Sequence, residues 1–362
     1  MKKIIFIIPH LGKGGAERFF SILLNNLDRE KFDITLLLIY GLEGEYLQEL
    51  NKDIRIETLN KSKLRYCFFE LWKYLRNINP DIVVSTIGSL NIIISCLIPF
   101  LSKKIKFIAR ESNIISLLPC TKFEKFGYKY MFNNFFKIIA QSEDMKKDLI
   151  KHTNVSEKKI IVINNAIDNK IINKFLNKNE VKKSKKIRLI NIGRLTAQKG
   201  QDMLIEIFSK IIKKNKEIEL LILGSGPKEG ELKKKVKELE LEKEIHFLGF
   251  QNNPYSYMKS SDIYVATSRY EGFPNILLEA NYCGLPIISF ECKGGINEII
   301  ENGINGYTIK CFDLLEFSEK LNYMIEDKSI FDKEFLRNNI VNKYSIKKIV
   351  KEYEKLFENI LI

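Results

Sequence analysis

The sequence lacks any apolar run long enough to span a bilayer. The longest, Ile92 to Leu101, falls well short of the ~20 residues that a transmembrane helix needs. No secretory leader is expected at the start of the sequence. Met1-Lys2-Lys3 precedes a short apolar run, but Pro9-His10-Leu11-Gly12 follows with no small-residue cleavage site, so the run reads as a first strand. No Asp-x-Asp occurs, and no acidic cluster is available to hold a divalent cation, so no obligatory metal is expected. Cys67, Cys96, Cys120, Cys283, Cys292 and Cys311 show no metal spacing. Each lies in or beside apolar residues, as buried thiols of a reducing compartment do. The G-x-G-x-x-G dinucleotide fingerprint is absent. So is any nucleic-acid-binding motif, which makes nucleic acid the least expected partner of a chain with net charge +14. An anionic membrane and anionic substrates remain.

What is present is a soluble globular composition, 45% hydrophobic and 29% charged, in 362 residues, enough for two domains of ordinary size. Strand-like and helix-like segments alternate. Lys2 to Ile8 has the continuous apolar character of a parallel strand buried on both faces. Further strands are expected at Ile34–Ile39, Ile54–Leu59, Asp81–Ser85, Lys106–Arg110, Ile138–Gln141 and Ile160–Ile163. Helices are expected at Ala16–Leu27, Leu64–Arg76 and Glu143–His152, the last capped by Ser142. Asn169 to Lys186 is polar and lysine-rich and reads as a linker. A second strand-helix series opens at Leu189. This alternation predicts an α/β protein with two doubly wound domains.

Several stretches suit a phosphorylated, hydroxylated ligand. Ser268 to Ala280 is a short loop entering a helix expected to begin at Pro274 and to stop at Gly284. The free N–H groups and positive dipole end of such a helix make an anion site. Glu271 and Glu279 frame it, and a pair of carboxylates suits hydroxyls; alone, each reads first as a solvated charge. Arg194 and Lys199 flank another loop that enters a helix, and they could grip a diphosphate by fork and by point charge. Gly12, Gly14 and Gly15 precede the first helix, where backbone could approach a ligand. Lys61–Arg76 and Lys122–Lys137 interleave aromatics with lysines and arginines. The second of these is either an interfacial patch on anionic lipid or a core helix with snorkelling lysines.

Glu271 to Ala280, written E-G-F-P-N-x-L-L-E-A, resembles the signature of retaining glycosyltransferases of family 4, which have the GT-B fold. The strings Cys283-Gly284-Leu285-Pro286-Ile287-Ile288, Gly193 to Gly200 (G-R-L-x-x-x-K-G) and Asn164 to Asp168 are similar to the same family. The likeness is strongest between residues 190 and 306 and weakest between 40 and 135. It implies two Rossmann-like domains facing a cleft: residues 1–168 with 345–362, and residues 169–344, the last helix crossing back to the first domain. It implies a hexosyl- or N-acetylhexosaminyltransferase without cofactor, using a nucleotide-diphosphate sugar, UDP foremost, and a glycan or lipid-linked glycan acceptor. The cytoplasmic face of a membrane is the place this implies. In the roles carried over, Gly14 and Gly15 face the diphosphate. Arg194, Lys199 and the segment Gly272, Phe273, Pro274 and Asn275 neutralise its charge. Glu279 holds the ribose, Glu271 the sugar, and Phe250 and Gln251 lie beside the nucleobase. Many relatives carry a histidine where Glu111 stands; Glu111 either orients an acceptor hydroxyl or pairs with Arg110. A non-hydrolysing UDP-sugar epimerase of similar fold and an inactive lipid-docked binding subunit are the rival readings.

Overall fold

A computed structural model describes residues 1–12, 14–176, 181–327 and 330–360. The chain divides into two units, Met1–Ala166 with Ile346–Ile362, and Ile167–Ser345.

The first unit is built on strands β1 (Lys2–Ile8), β2 (Phe32–Leu38), β3 (Arg55–Thr58), β4 (Ile82–Thr86), β5 (Lys106–Arg110), β6 (Lys137–Ala140) and β7 (Ile160–Val162). They form one parallel sheet in the order β3-β2-β1-β4-β5-β6-β7. Ile4 to Ile8 are all buried, because helices cover both faces of a sheet made this way. The last helix, Ile346–Ile360, belongs to this unit as expected; residues 361–362 of the expected span lie outside the described residues. Its Ile349, Val350, Tyr353 and Phe357 recur at helical spacing and share a core with Phe6, Phe19 and Phe32. The Phe357 ring meets Phe6 and Phe32 edge-on at 6.2 and 5.8 Å.

The second unit carries β8 (Ile187–Ile192), β9 (Ile218–Leu223), β10 (Ile245–Gly249), β11 (Ile263–Ala266), β12 (Ile287–Phe290) and β13 (Gly306–Ile309). Their order is β10-β9-β8-β11-β12-β13, again parallel. The winding reverses between β8 and β11. In open parallel sheets, ligands bind outside the carboxyl ends of the strands at such a reversal.

Two expectations need correction. Asn169 to Lys186 is not a simple linker, because Asn169–Leu176 is a helix of the second unit. Ile172, Phe175 and Leu176 make an apolar stripe at i, i+3 and i+4 that the surrounding lysines and asparagines obscure. Ile172 and Leu176 are buried, and the Phe175 ring lies 5.9 Å from Tyr255. Residues 177–180 of the expected linker lie outside the described residues. Lys122–Lys137 is neither wholly patch nor wholly core helix. It comprises a short α-helix, Lys122–Phe126, a π turn, Gly127–Met131, and a 3-10 turn, Phe132–Asn134. Tyr128, Phe132 and Phe135 go into the core, while Phe123, Phe126 and Tyr130 stay about half exposed.

Candidate functional site

The reversal in the second sheet brings together the loops after β8 and β11. The first loop carries Arg194 and Lys199, and the second carries Ser268 and Glu271. A polar rung runs beneath them. Buried Asn191 donates to the Val265 carbonyl at 2.8 Å, and the Tyr264 hydroxyl donates to Ile192 at 3.0 Å. Gly200 ends the first loop at φ +63, and a Cβ there would lie 2.0 Å from the Thr267 carbonyl oxygen. Only glycine allows the two loops to touch in this way.

Lys199 reaches across to Glu271, Nζ to Oε1, at 2.6 Å. Ser268 donates its hydroxyl to the same oxygen, also at 2.6 Å. Glu271 is 8% exposed, so this carboxylate has exchanged most of its water for two protein donors. Arg194 differs. It is exposed, and no hydrogen bond or ion pair engages its guanidinium among the described residues.

The helix that follows is Asn275–Tyr282, with Pro274 as its N-cap and not as its first helical residue. Pro274 has ψ 92, still extended, so the helical turn begins one residue later than expected. Cys283 caps the far end, and Gly284 leaves it at φ +82. Phe273 is buried against Tyr344, with ring centroids 5.7 Å apart. The entry loop is held from behind. Glu271 N–H donates to the Lys293 carbonyl at 3.0 Å, and Gly295 N–H to Gly272 at 2.9 Å. Gly294 sits at φ +132, where a Cβ would lie 2.4 Å from the Glu271 carbonyl oxygen. Glu279 is buried one turn into the helix. Phe250 is exposed just past β10, and Gln251 turns back to donate to the Leu248 carbonyl at 2.6 Å.

In the first unit, Gly14 caps the Gly15–Asn26 helix. The Glu17 carboxylate folds back over it, so that a Cβ on Gly14 would overlap its oxygens. Lys13 of the glycine loop lies outside the described residues. Glu111 follows β5 and is 1% exposed. Asn91 Nδ2 donates to its Oε1 at 2.7 Å, and the Tyr128 hydroxyl approaches Oε2 at 3.4 Å. Burial pushes the Glu111 carboxyl up to about 7, against the opposing pull of Asn91, Tyr128 and the Arg110 charge. Arg110 does not pair with it. Among the described residues its guanidinium donates to the Tyr353 hydroxyl at 3.1 Å and to Asn165, and it stacks on Phe19 at 4.2 Å.

Ser268, Asn91 and Tyr128 carried no assignment from sequence. Ser268 stands three residues before Glu271 in the same loop, a spacing that could have marked it. Asn91 and Tyr128 reach Glu111 only through the fold, and nothing local in the sequence points to them.

Two family models match the sequence. One, described as Glycosyltransferase Family 4, covers residues 13–170; the other, described as Glycosyl transferases group 1, covers residues 172–346. The chain is 27% identical over 346 residues to the N-acetylgalactosamine-N,N'-diacetylbacillosaminyl-diphospho-undecaprenol 4-alpha-N-acetylgalactosaminyltransferase of Campylobacter jejuni, covering 91% of this chain and 92% of that protein. It is 28% identical over 363 residues to the UDP-Gal:alpha-D-GlcNAc-diphosphoundecaprenol alpha-1,3-galactosyltransferase of Escherichia coli, covering 93% and 91%. Among solved structures, Anabaena HepE in complex with UDP matches with a TM-score of 0.81 at 19% identity, over 99% of this chain and 100% of that one. At that identity the likeness is one of fold.

Proposed function

Since the chain belongs to the glycosyltransferases, with a family 4 half followed by a group 1 half, we propose that it moves a hexose or N-acetylhexosamine from a UDP-sugar to a lipid-linked glycan, with retention of configuration. The observation that carries this reading is the meeting of two loops at the reversal of the second sheet. One presents the unengaged Arg194 and the paired Lys199; the other leads into the Asn275–Tyr282 helix. Cations and a helix start at one point suit a departing diphosphate, and stabilising charge where it develops is usually the largest catalytic contribution. Glu271 would meet the sugar, Glu279 the ribose, and Phe250 and Gln251 the base. Gly14 and Gly15 would meet the diphosphate, and Glu111 an acceptor hydroxyl. The names of the Campylobacter and Escherichia relatives, both diphospho-undecaprenol enzymes, support a lipid-linked acceptor.

Among the described residues no group of three or more His, Cys, Asp or Glu side chains converges in a way that could hold a metal ion. The reading includes metal-independent transfer without a cofactor. A screen of nucleotide sugars against lipid-linked and oligosaccharide acceptors, run in excess chelator, tests both parts. UDP should raise the melting temperature by a few degrees, and turnover should persist. Loss of all turnover on chelation, restored by magnesium or manganese, would overturn the metal-independent part. Failure of every nucleoside diphosphate to stabilise the protein would overturn the donor assignment.

An anionic membrane surface, at the cytoplasmic face, completes the proposal. No helix among the described residues is long and apolar enough to cross a membrane. The Phe68–Ile78 helix and the Lys122–Asn134 segment both share a core with the Gly88–Leu97 helix. On these two elements Phe69, Phe123, Phe126 and Tyr130 are substantially exposed, as are Tyr66 and Phe100 in the short turns Leu64–Tyr66 and Ile98–Phe100. Lys122, Lys125 and Lys129 are exposed among Phe123, Phe126 and Tyr130. Each such cation near an anionic surface contributes about 1 kcal/mol, screened by salt, while aromatics at headgroup depth add a salt-insensitive part. Binding to anionic vesicles should therefore weaken with salt without vanishing. Exchanging Lys122, Lys125 and Lys129 for glutamate should release the protein and spare UDP binding. Equal partitioning of variant and wild type in a sedimentation assay would remove the membrane from the proposal.

A further inference from the structure

We propose that Arg269, Asp202 and Gln198 are positioning residues that hold the two donor loops in register; this rests on the donor site proposed above. Arg269 stands between Ser268 and Glu271, yet it does not line the small pocket formed by Lys199, Ser268 and Glu271. Its guanidinium goes to the other loop. It grips Asp202 as a fork, at 3.0 Å to Oδ1 and 2.7 Å to Oδ2, and donates to the Ala197 carbonyl at 2.6 Å. Its backbone N–H donates to the Gln198 carbonyl at 2.7 Å. Gln198 returns the contact, Nε2 to the Tyr270 carbonyl at 3.0 Å. Lys199 therefore lies between Ala197–Gln198 and Asp202, all tied to the β11 loop, and Glu271 directly follows the tied Tyr270.

The Asp202–Arg269 bridge lines a separate cavity of about 370 Å³, with Lys228 and Lys235. Its two side chains are 33% and 43% exposed. An ion pair so exposed adds little to global stability, but a two-point fork fixes geometry. The geometry it fixes is the spacing of the Lys199–Glu271 pair, and a displacement of about 1 Å at a reacting site can cost roughly a hundredfold in rate.

The test uses the full chain with Arg269→Ala, Asp202→Ala, the double variant and Arg269→Lys. Turnover of the UDP-sugar, UDP affinity by calorimetry, and amide hydrogen exchange across residues 196–202 and 267–272 are read together. Each alanine variant should lose roughly tenfold to a hundredfold in turnover with little change in melting temperature, and both loops should exchange faster. The double variant should be no worse than the worse single one, because both act through one bridge. Arg269→Lys, which keeps one bond to Asp202, should recover part of the loss. Unchanged exchange in the alanine variants overturns the proposal, as does unchanged turnover despite faster exchange. Additive losses in the double variant overturn it as well. If wild-type protein binds no UDP, the donor reading fails instead, and exchange still decides whether Arg269 ties the loops.

Discussion

Arg194→Ala is expected to lower turnover tenfold or more and to weaken UDP binding with no change in melting temperature. The guanidinium is exposed and engages no protein group among the described residues, so nothing in the unliganded fold depends on it. In the donor complex it would give charge-assisted bonds to the diphosphate, each contributing on the order of 1.5–3 kcal/mol. Lys199→Ala should lose at least as much turnover, but it should also melt earlier. Its ammonium is one of two donors to the Glu271 oxygen. Without it a nearly buried carboxylate keeps, among the described residues, only the Ser268 hydroxyl, and a charge stripped of its partner is strongly destabilising. Adding Glu271→Gln to Lys199→Ala should restore the melting temperature and not the turnover. Steady-state kinetics, calorimetry with UDP and thermal melts on the four proteins separate these effects. Wild-type turnover in either single variant would remove that residue from the diphosphate site.

The two loops were legible because their chemistry is written locally. Gly193 to Gly200 and Ser268 to Asn275 each place cations, small residues or a proline at a strand-to-helix passage, and the parallel sheet delivers both to one reversal point. The strand pattern was legible for the same reason: buried parallel strands such as Ile4–Ile8 are continuous apolar runs. Contacts made at long range were not legible. Asn91 and Tyr128 lie about 20 residues from Glu111 in sequence, and Arg269 finds Asp202 across 67 residues. The Asn169–Leu176 helix was hidden by composition, since its four apolar residues are diluted by asparagine and lysine. Pro274 shows the limit of local rules. It suits the first helical position by propensity, but the pins from Lys293 and Gly295 keep the preceding loop extended by one residue more.

Glu111→Gln is expected to make the protein more stable above neutral pH and at the same time less active. The carboxyl titrates at about 7 inside the fold instead of its usual 4.5, chiefly because burial penalises the charged form. A folded value above the unfolded one means that the protonated carboxyl favours the native state. That contribution is fully present below about pH 4.5 and is lost as pH rises through about 7. The loss is on the order of 3 kcal/mol. Glutamine keeps the amide oxygen that Asn91 Nδ2 can reach and carries no proton equilibrium. The stability gap between variant and wild type should thus be small at pH 5 and open by about pH 8. On the proposed reading the ionised carboxylate accepts the acceptor hydroxyl, and a neutral amide is a weaker acceptor, so turnover should fall roughly tenfold to a hundredfold. Urea melts at pH 5, 6.5 and 8, with turnover at the same values, give both readouts. A gap independent of pH would show that Glu111 titrates in its ordinary range. Full turnover in a stabilised variant would leave Glu111 a buried structural acid and take it out of the acceptor site.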